Sequence, residues 1–153
     1  MDEIVARSLL KWPNVPAVYG WLALDRRGNW LIKGQRIGNA ALRDFIGRNY
    51  QADEKGRWYF QNGPQRVYVS LAYTPLVVRY EGERLVDHCG RPFLPAETLE
   101  DDEGSVLFAG SGTVALLDDR DLARFAEQVL SLRPIGRSEI EARFGFVADP
   151  RPD

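Results

Sequence analysis

The residues that build metal centres and disulfides are almost absent from this sequence. Its 153 residues include one cysteine and one histidine, which are neighbours at Cys89 and His88. A single cysteine cannot form a disulfide within the chain, so a reducing compartment is favoured and we predict a cytoplasmic protein. Because a zinc site needs three or four ligands, mostly His and Cys, the sequence predicts no zinc site.

Long apolar runs and complete nucleotide-binding loops are missing as well. No stretch approaches 18 apolar residues, and the opening MDEIVARSLLKW starts acidic, so we expect neither a membrane span nor a signal peptide. The segment GSGTVA at 110–115 has the glycine spacing of a dinucleotide loop. However, β-branched residues follow where a helix is required, which predicts a hairpin turn instead. With no P-loop either, we predict no cofactor.

What the sequence does contain is an uneven distribution of charge. The net charge is −2, yet residues 26–68 contain nine Lys or Arg against three acidic residues. Such an asymmetry is typical of a half that binds anions. It is equally typical of a basic half that packs against the acidic remainder, and both interpretations stay open.

Hydrophobic periodicity and turn residues predict an α+β protein. Helices are expected over residues 3–12, from an N-cap at Asn39, from Asp118 or Asp119, and after Ser138, where Ser-x-x-Glu has the spacing of a capping box. The remainder is predicted to form mostly antiparallel sheets from repeated β-hairpins, with three to four helices packed on them. We expect one domain over residues 1–153, or two similar lobes of about 15–72 and 73–145, followed by a frayed tail.

One sequence motif, Asp-x-x-Gly-x-Trp, occurs twice. DRRGNWLIKGQRI starts at Asp25 and DEKGRWYFQNGPQRV starts at Asp53, while DDEGSVLFAG, starting at Asp101, is a weaker third copy. Asp bonds the backbone two residues on and Gly takes a positive φ, so both suit a turn. The Trp five residues after Asp in the first two copies is large enough to anchor a core. We therefore interpret Asp, Gly and Trp as structural, and any function as lying on the residues between them.

The face of the second hairpin that points away from Trp58 is the candidate binding site. Strand alternation places Arg57, Tyr59, Arg66 and Tyr68 on that face. Arginine and tyrosine together suit an anionic, planar or peptide ligand, through charged hydrogen bonds and stacking. The alternatives are that a helix or a partner subunit covers this face. Nucleic acid is disfavoured because the protein is acidic overall and no recognition module is visible.

A small enzyme is the competing hypothesis. It would use carboxylates, such as those of the acidic segment at 99–104, and His88 as a base. Adjacent residues of a strand point to opposite faces, so His88 and Cys89 are not expected to act as a pair. We favour a non-enzymatic ligand-binding or regulatory domain with an anionic small molecule or a protein as its partner. A homodimeric interaction module is the third alternative.

Residues 28–79, from GNWLIKG to TPLVVR, resemble a group of uncharacterised bacterial proteins. In that group a Gly-x-Trp hairpin leads into a short helix and a second hairpin. A proline followed by β-branched residues comes next, here Thr74, Pro75, Leu76, Val77 and Val78. The resemblance implies an α+β fold with repeated hairpin-helix units and a role in ligand sensing or signalling, and it brings no catalytic residues.

Overall fold

The computed structural model describes residues 13–128 and 131–153 and consists of two compact units. Unit 1 contains the described residues up to Asp25, together with Asn29–Ala72 and Val147–Asp153. Unit 2 contains Arg26–Gly28 and Tyr73–Phe146. The helix predicted over residues 3–12 lies outside the described residues.

Unit 1 is built on a six-stranded sheet with the order β3-β2-β1-β6-β5-β4. Its strands are β1 (Ala17–Leu24), β2 (Trp30–Ile32), β3 (Gln35–Arg36), β4 (Tyr50–Ala52), β5 (Trp58–Asn62) and β6 (Gln65–Leu71). Neighbouring strands are antiparallel except for β1 and β6, which are parallel. The Asn62-Gly63 turn joins β5 to β6, which confirms the hairpin expected there.

Unit 2 is built on a seven-stranded sheet with the order β13-β10-β11-β12-β7-β8-β9. Its strands are β7 (Leu76–Glu81), β8 (Arg84–Asp87), β9 (Pro92–Phe93), β10 (Pro95–Asp101), β11 (Val106–Gly110), β12 (Thr113–Leu117) and β13 (Arg133–Ile135). Ser111 and Gly112 form the turn between β11 and β12, so GSGTVA is a hairpin turn, as predicted.

The two sheets repeat one topology. Read from its β9 edge, the unit 2 sheet runs β9-β8-β7-β12-β11-β10, the same third-second-first-sixth-fifth-fourth order as in unit 1, with β13 added. In each unit the first and sixth strands pair in parallel, and in unit 2 the added β13 is also parallel to β10. The α+β class built from hairpins is therefore confirmed, although both sheets are mixed.

Three α-helices occur in the described residues, and two differ from prediction. Helix α1 (Ala40–Arg48) begins after Asn39, whose side chain accepts a hydrogen bond from the Leu42 amide, as expected. A 3₁₀ turn (Asp119–Asp121), capped by Asp118, precedes the short α2 (Leu122–Ala126). Helix α3 (Arg137–Phe144) begins after Gly136, not Ser138, so the predicted capping box is wrong. None of the described helices combines the length and apolarity needed to cross a membrane.

A carboxylate from elsewhere in unit 2 explains the different start of α3. Asp102 Oδ1 accepts the hydrogen bond of the Arg137 amide at 2.8 Å. The first amides of a helix have no acceptor within the helix, and here a distant residue supplies one. A cap supplied by tertiary structure cannot be recognised from local spacing.

The repeated Asp-x-x-Gly phrase forms one kind of loop, and it occurs four times rather than three. In each loop the Asp amide donates to the carbonyl of the residue four positions later, and Asp Oδ1 accepts from the amide of that residue. The glycine has φ between 80° and 87°, which favours a residue without Cβ. The loops start at Asp25, Asp53, Asp87 and Asp101. The structural interpretation of Asp and Gly is thus confirmed, and DHCG at 87–90 is a copy that the sequence did not reveal.

Residues 147–153 are held by unit 1 and do not form the frayed tail that was predicted. The Val147 amide donates to the Gly56 carbonyl at 2.9 Å, and the Leu71 amide donates to the Ala148 carbonyl at 2.7 Å. Pro150 is buried. The segment is ordered because it satisfies backbone groups that the sheet leaves unpaired.

Candidate functional site

The four predicted ligand residues lie together on one face of the unit 1 sheet, which we call the Arg–Tyr surface. Tyr59 and Tyr68 are directly opposite each other on β5 and β6. The Arg66 guanidinium lies over the Tyr59 ring at 4.4 Å, and that of Arg57 lies over the Tyr68 ring at 4.9 Å. The spacing of the residues therefore predicts their shared face correctly.

Tyr19 is a fifth member of this surface that sequence reasoning missed. Its ring is stacked on that of Tyr68, with centroids 4.8 Å apart and an angle of 4° between the planes. Tyr19 comes from β1, which reaches Tyr68 through the parallel pairing with β6. No local signal announces a parallel pairing between strands that are about 50 residues apart.

Most of the Arg–Tyr surface is buried. Arg57, Tyr59 and Tyr68 are 9%, 5% and 4% exposed. Only Arg66 and Tyr19 are half-exposed. A ligand that reaches this face from solvent would meet Arg66 and Tyr19 first.

Asp53 fixes the Arg57 end of the surface. Its Oδ2 accepts hydrogen bonds from Arg57 Nε at 2.8 Å and from the Tyr68 hydroxyl at 3.1 Å, while Oδ1 accepts from two amides of its own loop. Burial by itself raises the pKa of Asp53, but the hydrogen bonds from Arg57, Lys55 and Tyr68 outweigh it and the pKa is lowered. The carboxylate stays ionised and holds Arg57 in place.

A second carboxylate already lies at this end. Asp153 Oδ1 is 2.8 Å from Lys55 Nζ and 3.2 Å from Arg57 Nη1. Hydrogen bonding to Lys55 is the main cause that lowers the pKa of Asp153. The Asp153 and Lys55 side chains are both more than half exposed, so this contact is open to competition by other anions.

Unit 2 shows which part of the surface belongs to the fold. There the Asp101 carboxylate accepts a hydrogen bond from the Tyr73 hydroxyl at 2.8 Å, and Arg26 and Arg137 lie over the Tyr73 ring at 5.0 and 4.9 Å. In both units, therefore, an Asp of the repeated loop accepts a hydrogen bond from a tyrosine, and an arginine guanidinium lies over the ring of that tyrosine. The two tyrosines are not at equivalent positions, since Tyr73 precedes the first strand of unit 2 and Tyr68 lies in the sixth strand of unit 1. What the units share is a loop carboxylate that is engaged in the fold.

The positions of Tyr59, Tyr68 and Arg66 are occupied by other residue types in unit 2. Tyr59 is six residues after the loop Asp53, and Leu107 is six residues after Asp101. The strand opposite Tyr59 carries Tyr68 and Arg66, whereas the strand opposite Leu107 carries Leu116 and Val114. These three unit 2 residues are buried aliphatics (Leu107, Val114 and Leu116). The topology therefore does not require arginine or tyrosine at these positions.

Arg66 is the residue of this surface with the most unused binding capacity. Its interaction with Tyr68 raises the pKa of the guanidinium, so it is always charged. Within residues 13–128 and 131–153, however, it makes no ion pair with a carboxylate. A half-exposed guanidinium stacked on a tyrosine can bind a carboxylate with two hydrogen bonds.

His88 and Cys89 lie in the Asp87 loop and not in a strand, which corrects the geometry expected for them. The Val77 amide donates to His88 Nδ1 at 3.2 Å, so this nitrogen is an acceptor within the fold. A Cβ added at Gly28 would lie 2.7 Å from the His88 Cβ, which shows how closely the backbone covers the histidine. Both observations give His88 a packing role.

Burial raises the pKa of the Cys89 thiol to about 12. We expect iodoacetamide to alkylate Cys89 in the folded protein on the order of a thousand-fold more slowly at pH 8 than in urea, because only the thiolate reacts and its fraction is small. Mass spectrometry of timed samples measures both rates. Equal rates would show that the thiol is accessible and ionised in the fold.

The acidic segment at 99–104 also has a structural explanation. Asp101 is buried as the first residue of its loop, and Asp102 caps α3. In the part of the chain that the structure describes, no three His, Cys, Asp or Glu side chains form a group suited to a metal ion. Asp101, Asp102 and Glu103 of this segment are thus engaged in the fold, the last through an ion pair with Arg137.

Two solved structures share the fold of this chain. A DUF1285 family protein from Silicibacter pomeroyi DSS-3 is 15% identical, with a TM-score of 0.56 over 86% of this chain and 87% of its own. A DUF1285 family protein from Shewanella baltica OS155 is 13% identical, with a TM-score of 0.54 over 72% of this chain and 93% of its own. At these identities the likeness concerns the fold alone.

The sequence comparisons complete the assignment. No curated protein matches this sequence. A family model does match, over residues 1–151, and it confirms the expected kinship with uncharacterised proteins. The chain belongs to the family DUF2944, described as "Protein of unknown function (DUF2946)".

Proposed function

We propose that this protein is a non-enzymatic ligand-binding domain with a regulatory role, and that the Arg–Tyr surface binds a ligand with carboxylate groups. The observation that carries the proposal is Arg66, a half-exposed guanidinium on the Tyr59 ring without a carboxylate partner in the described residues. Arg66 also interacts with Tyr68, but its guanidinium has further N–H groups for an incoming anion, and hydrogen bonds to charged groups contribute about 1.5–3 kcal/mol.

The position of Asp153 supports the same chemistry. Its carboxylate contacts Lys55 and Arg57 at the neighbouring end of the surface. An acidic peptide placed along β5 and β6 would put one carboxylate on Arg66 and a second one in competition with Asp153. Tyr19 offers its half-exposed ring to a planar group of the same ligand.

Charge reversal of Arg66 tests the proposal. We expect Arg66→Glu to weaken the binding of a hexaglutamate peptide at least ten-fold, as measured by isothermal titration calorimetry at low salt. Arg36→Glu is the matched control, since Arg36 is exposed on β3 of the same sheet and the variant has the same net charge. We expect its affinity to stay within two-fold of that of the wild type.

Two outcomes would contradict the proposal. If both variants lose the same affinity, the peptide responds only to overall charge. If the wild type shows no heat of binding, the surface does not bind carboxylates. Native mass spectrometry of the same samples tests the homodimer alternative, in which Arg66→Glu shifts the mass from two chains to one.

A further inference from the structure

Unit 2 contains a pocket of about 890 Å³ within its own fold. Small-molecule sites have volumes of about 300–1,000 Å³ and are mostly apolar. The pocket wall is largely apolar, with Leu85, Phe93, Leu94 and Phe108 as its main contributors. Two differences from unit 1 explain why unit 2 has this pocket.

The connection between the sheet edges explains why unit 2 is concave. Strands β9 and β10 are far apart in the strand order, yet Leu94 alone connects them. The sheet must therefore curl until these strands approach. At the start of β10 the packing is tight, since a Cβ added at Gly110 of β11, opposite Pro95, would lie 2.1 Å from the Leu94 carbonyl oxygen. In unit 1 the equivalent connection contains the whole of α1.

The filling of the concave face also differs between the units. Phe60 and Phe108 are equivalent, since each lies seven residues after its loop Asp. Phe60 is opposite Tyr50 on the adjacent strand. Its ring packs edge-on against that of Phe45 in α1, with 5.4 Å between the ring centroids. Phe108 is opposite Thr98, and its ring packs against that of Phe125 in α2 with 6.0 Å between the ring centroids.

Two fillers of unit 1 are thus missing from unit 2. Tyr50 is 2% exposed and packs edge-on against Trp30 at 4.9 Å. The equivalent Thr98 is half-exposed and lines the pocket, and Leu94 replaces α1. Helix α2 covers Phe108 but does not fill the space beside Thr98. Among the residues that the structure describes, unit 2 therefore has the same topology without a counterpart of Tyr50 and α1 in its core.

Arg84 is the charged residue of the rim that can receive an anionic group of the occupant. Glu97 is already paired with Arg143 at 2.8 Å and faces Arg133 at 3.5 Å. Arg84 lines the pocket and makes no hydrogen bond or ion pair with the described residues. The lining contains two arginines, Arg84 and Arg133, and two acids, Glu83 and Glu97, so an anionic group would bind through Arg84 itself and not through an excess of positive charge.

We infer that this pocket binds a small apolar molecule that carries one anionic group. The apolar part lies against Phe108 and Leu85 in the space that Tyr50 and α1 occupy in unit 1. The anionic group lies at the rim beside Arg84. Leu94, which is 75% exposed despite its apolar side chain, becomes covered by the bound molecule. This site is separate from the Arg–Tyr surface, so either proposal can fail without the other.

Refilling the pocket with the unit 1 residue tests the inference. The probe is 8-anilinonaphthalene-1-sulfonate, an aromatic molecule with one sulfonate, titrated by its fluorescence. We expect one site per chain in the wild type, displaced by decanoate, and at least ten-fold weaker binding to Thr98→Tyr. Thr113→Tyr is the matched control on β12, outside the pocket lining, and its affinity should stay within two-fold.

Variants of exposed residues keep the test valid if Thr98→Tyr fails to fold. Leu94→Asp should weaken probe binding at least five-fold, whereas Val15→Asp, at the other strongly exposed apolar residue, should not. Arg84→Gln should weaken binding of the sulfonate probe but not of neutral N-phenyl-1-naphthylamine. Wild-type protein that binds neither probe, or binding that Thr98→Tyr and Leu94→Asp leave unchanged, would overturn the inference.

Discussion

Replacing Asp53 by alanine is expected to lower the free energy of unfolding by about 3–5 kcal/mol, the cost of breaking a buried ion pair by removing one partner. The Asp53 side chain has no exposed surface and that of Arg57 is 10% exposed. The variant leaves Arg57 Nε, two loop amides and the Tyr68 hydroxyl without their acceptor, although Arg57 Nη1 keeps its contact with Asp153. Urea unfolding followed by tryptophan fluorescence measures the change, since all four tryptophans precede residue 59.

Asp25→Ala is the matched control for this prediction. Asp25 begins the same kind of loop, and its carboxylate accepts hydrogen bonds from the backbone amide and the side-chain amide of Asn29. We expect a loss of about 1–2 kcal/mol, in the range of a lost cap-like hydrogen bond. Equal losses for the two variants would mean that the loop, and not the Arg57 pair, accounts for the stability.

The same carboxylate gives the sign of the pH dependence. The pKa of Asp53 is lower in the folded protein than its ordinary value, so folding favours the ionised form. Its contribution to stability is fully present above the ordinary pKa of about 4 and is lost as the pH falls through the lower folded value. The wild type should therefore lose stability on acidification more steeply than Asp53→Ala.

Phe60→Ala is expected to lower the free energy of unfolding by about 3–5 kcal/mol, and Phe108→Ala by at least about 1 kcal/mol less. The residues are equivalent in the two units, and they are 0% and 2% exposed. Truncation of Phe60 leaves a cavity beneath α1 that the helix cannot readily fill. Phe108 borders a pocket, so its truncation enlarges a space that already exists and removes fewer contacts.

Urea unfolding measures this difference, by tryptophan fluorescence for Phe60→Ala and by far-UV circular dichroism for Phe108→Ala. Leu107→Ala serves as the control in unit 2, since Leu107 is fully buried on the opposite face of the same strand. A Phe108→Ala loss equal to that of Phe60→Ala would contradict the account of an incompletely filled core.

Local features of the fold were readable from the sequence because near neighbours hold them. The cap at Asn39 joins residues three positions apart, and each Asp-x-x-Gly loop closes within five residues. Even so, the copy at Asp87 escaped notice because its Trp position does not match and because the only His and Cys occupy the middle of the loop. His88 and Cys89 suggest chemistry, but they belong to a turn of the same kind as the other three.

The candidate site was only partly readable. Strand alternation places Arg57, Tyr59, Arg66 and Tyr68 on one face, but it does not give their exposure. Burial of Tyr59 and Tyr68 depends on what packs over them, including Tyr19 and the two arginine guanidinium groups. Sequence spacing therefore predicts the position of the surface, and the tertiary structure shows that Arg66 is its half-exposed arginine.

The sequence by itself determined the turns, the hairpins, the start of α1 and the α+β class, because each depends on interactions within a few residues. Only the tertiary structure decided the parallel pairings, the cap of α3 by Asp102, the contact of Asp153 with Arg57 and the pocket beside Thr98. These features join residues that are distant in the chain. Their formation depends on closure of the sheets, which no local pattern encodes.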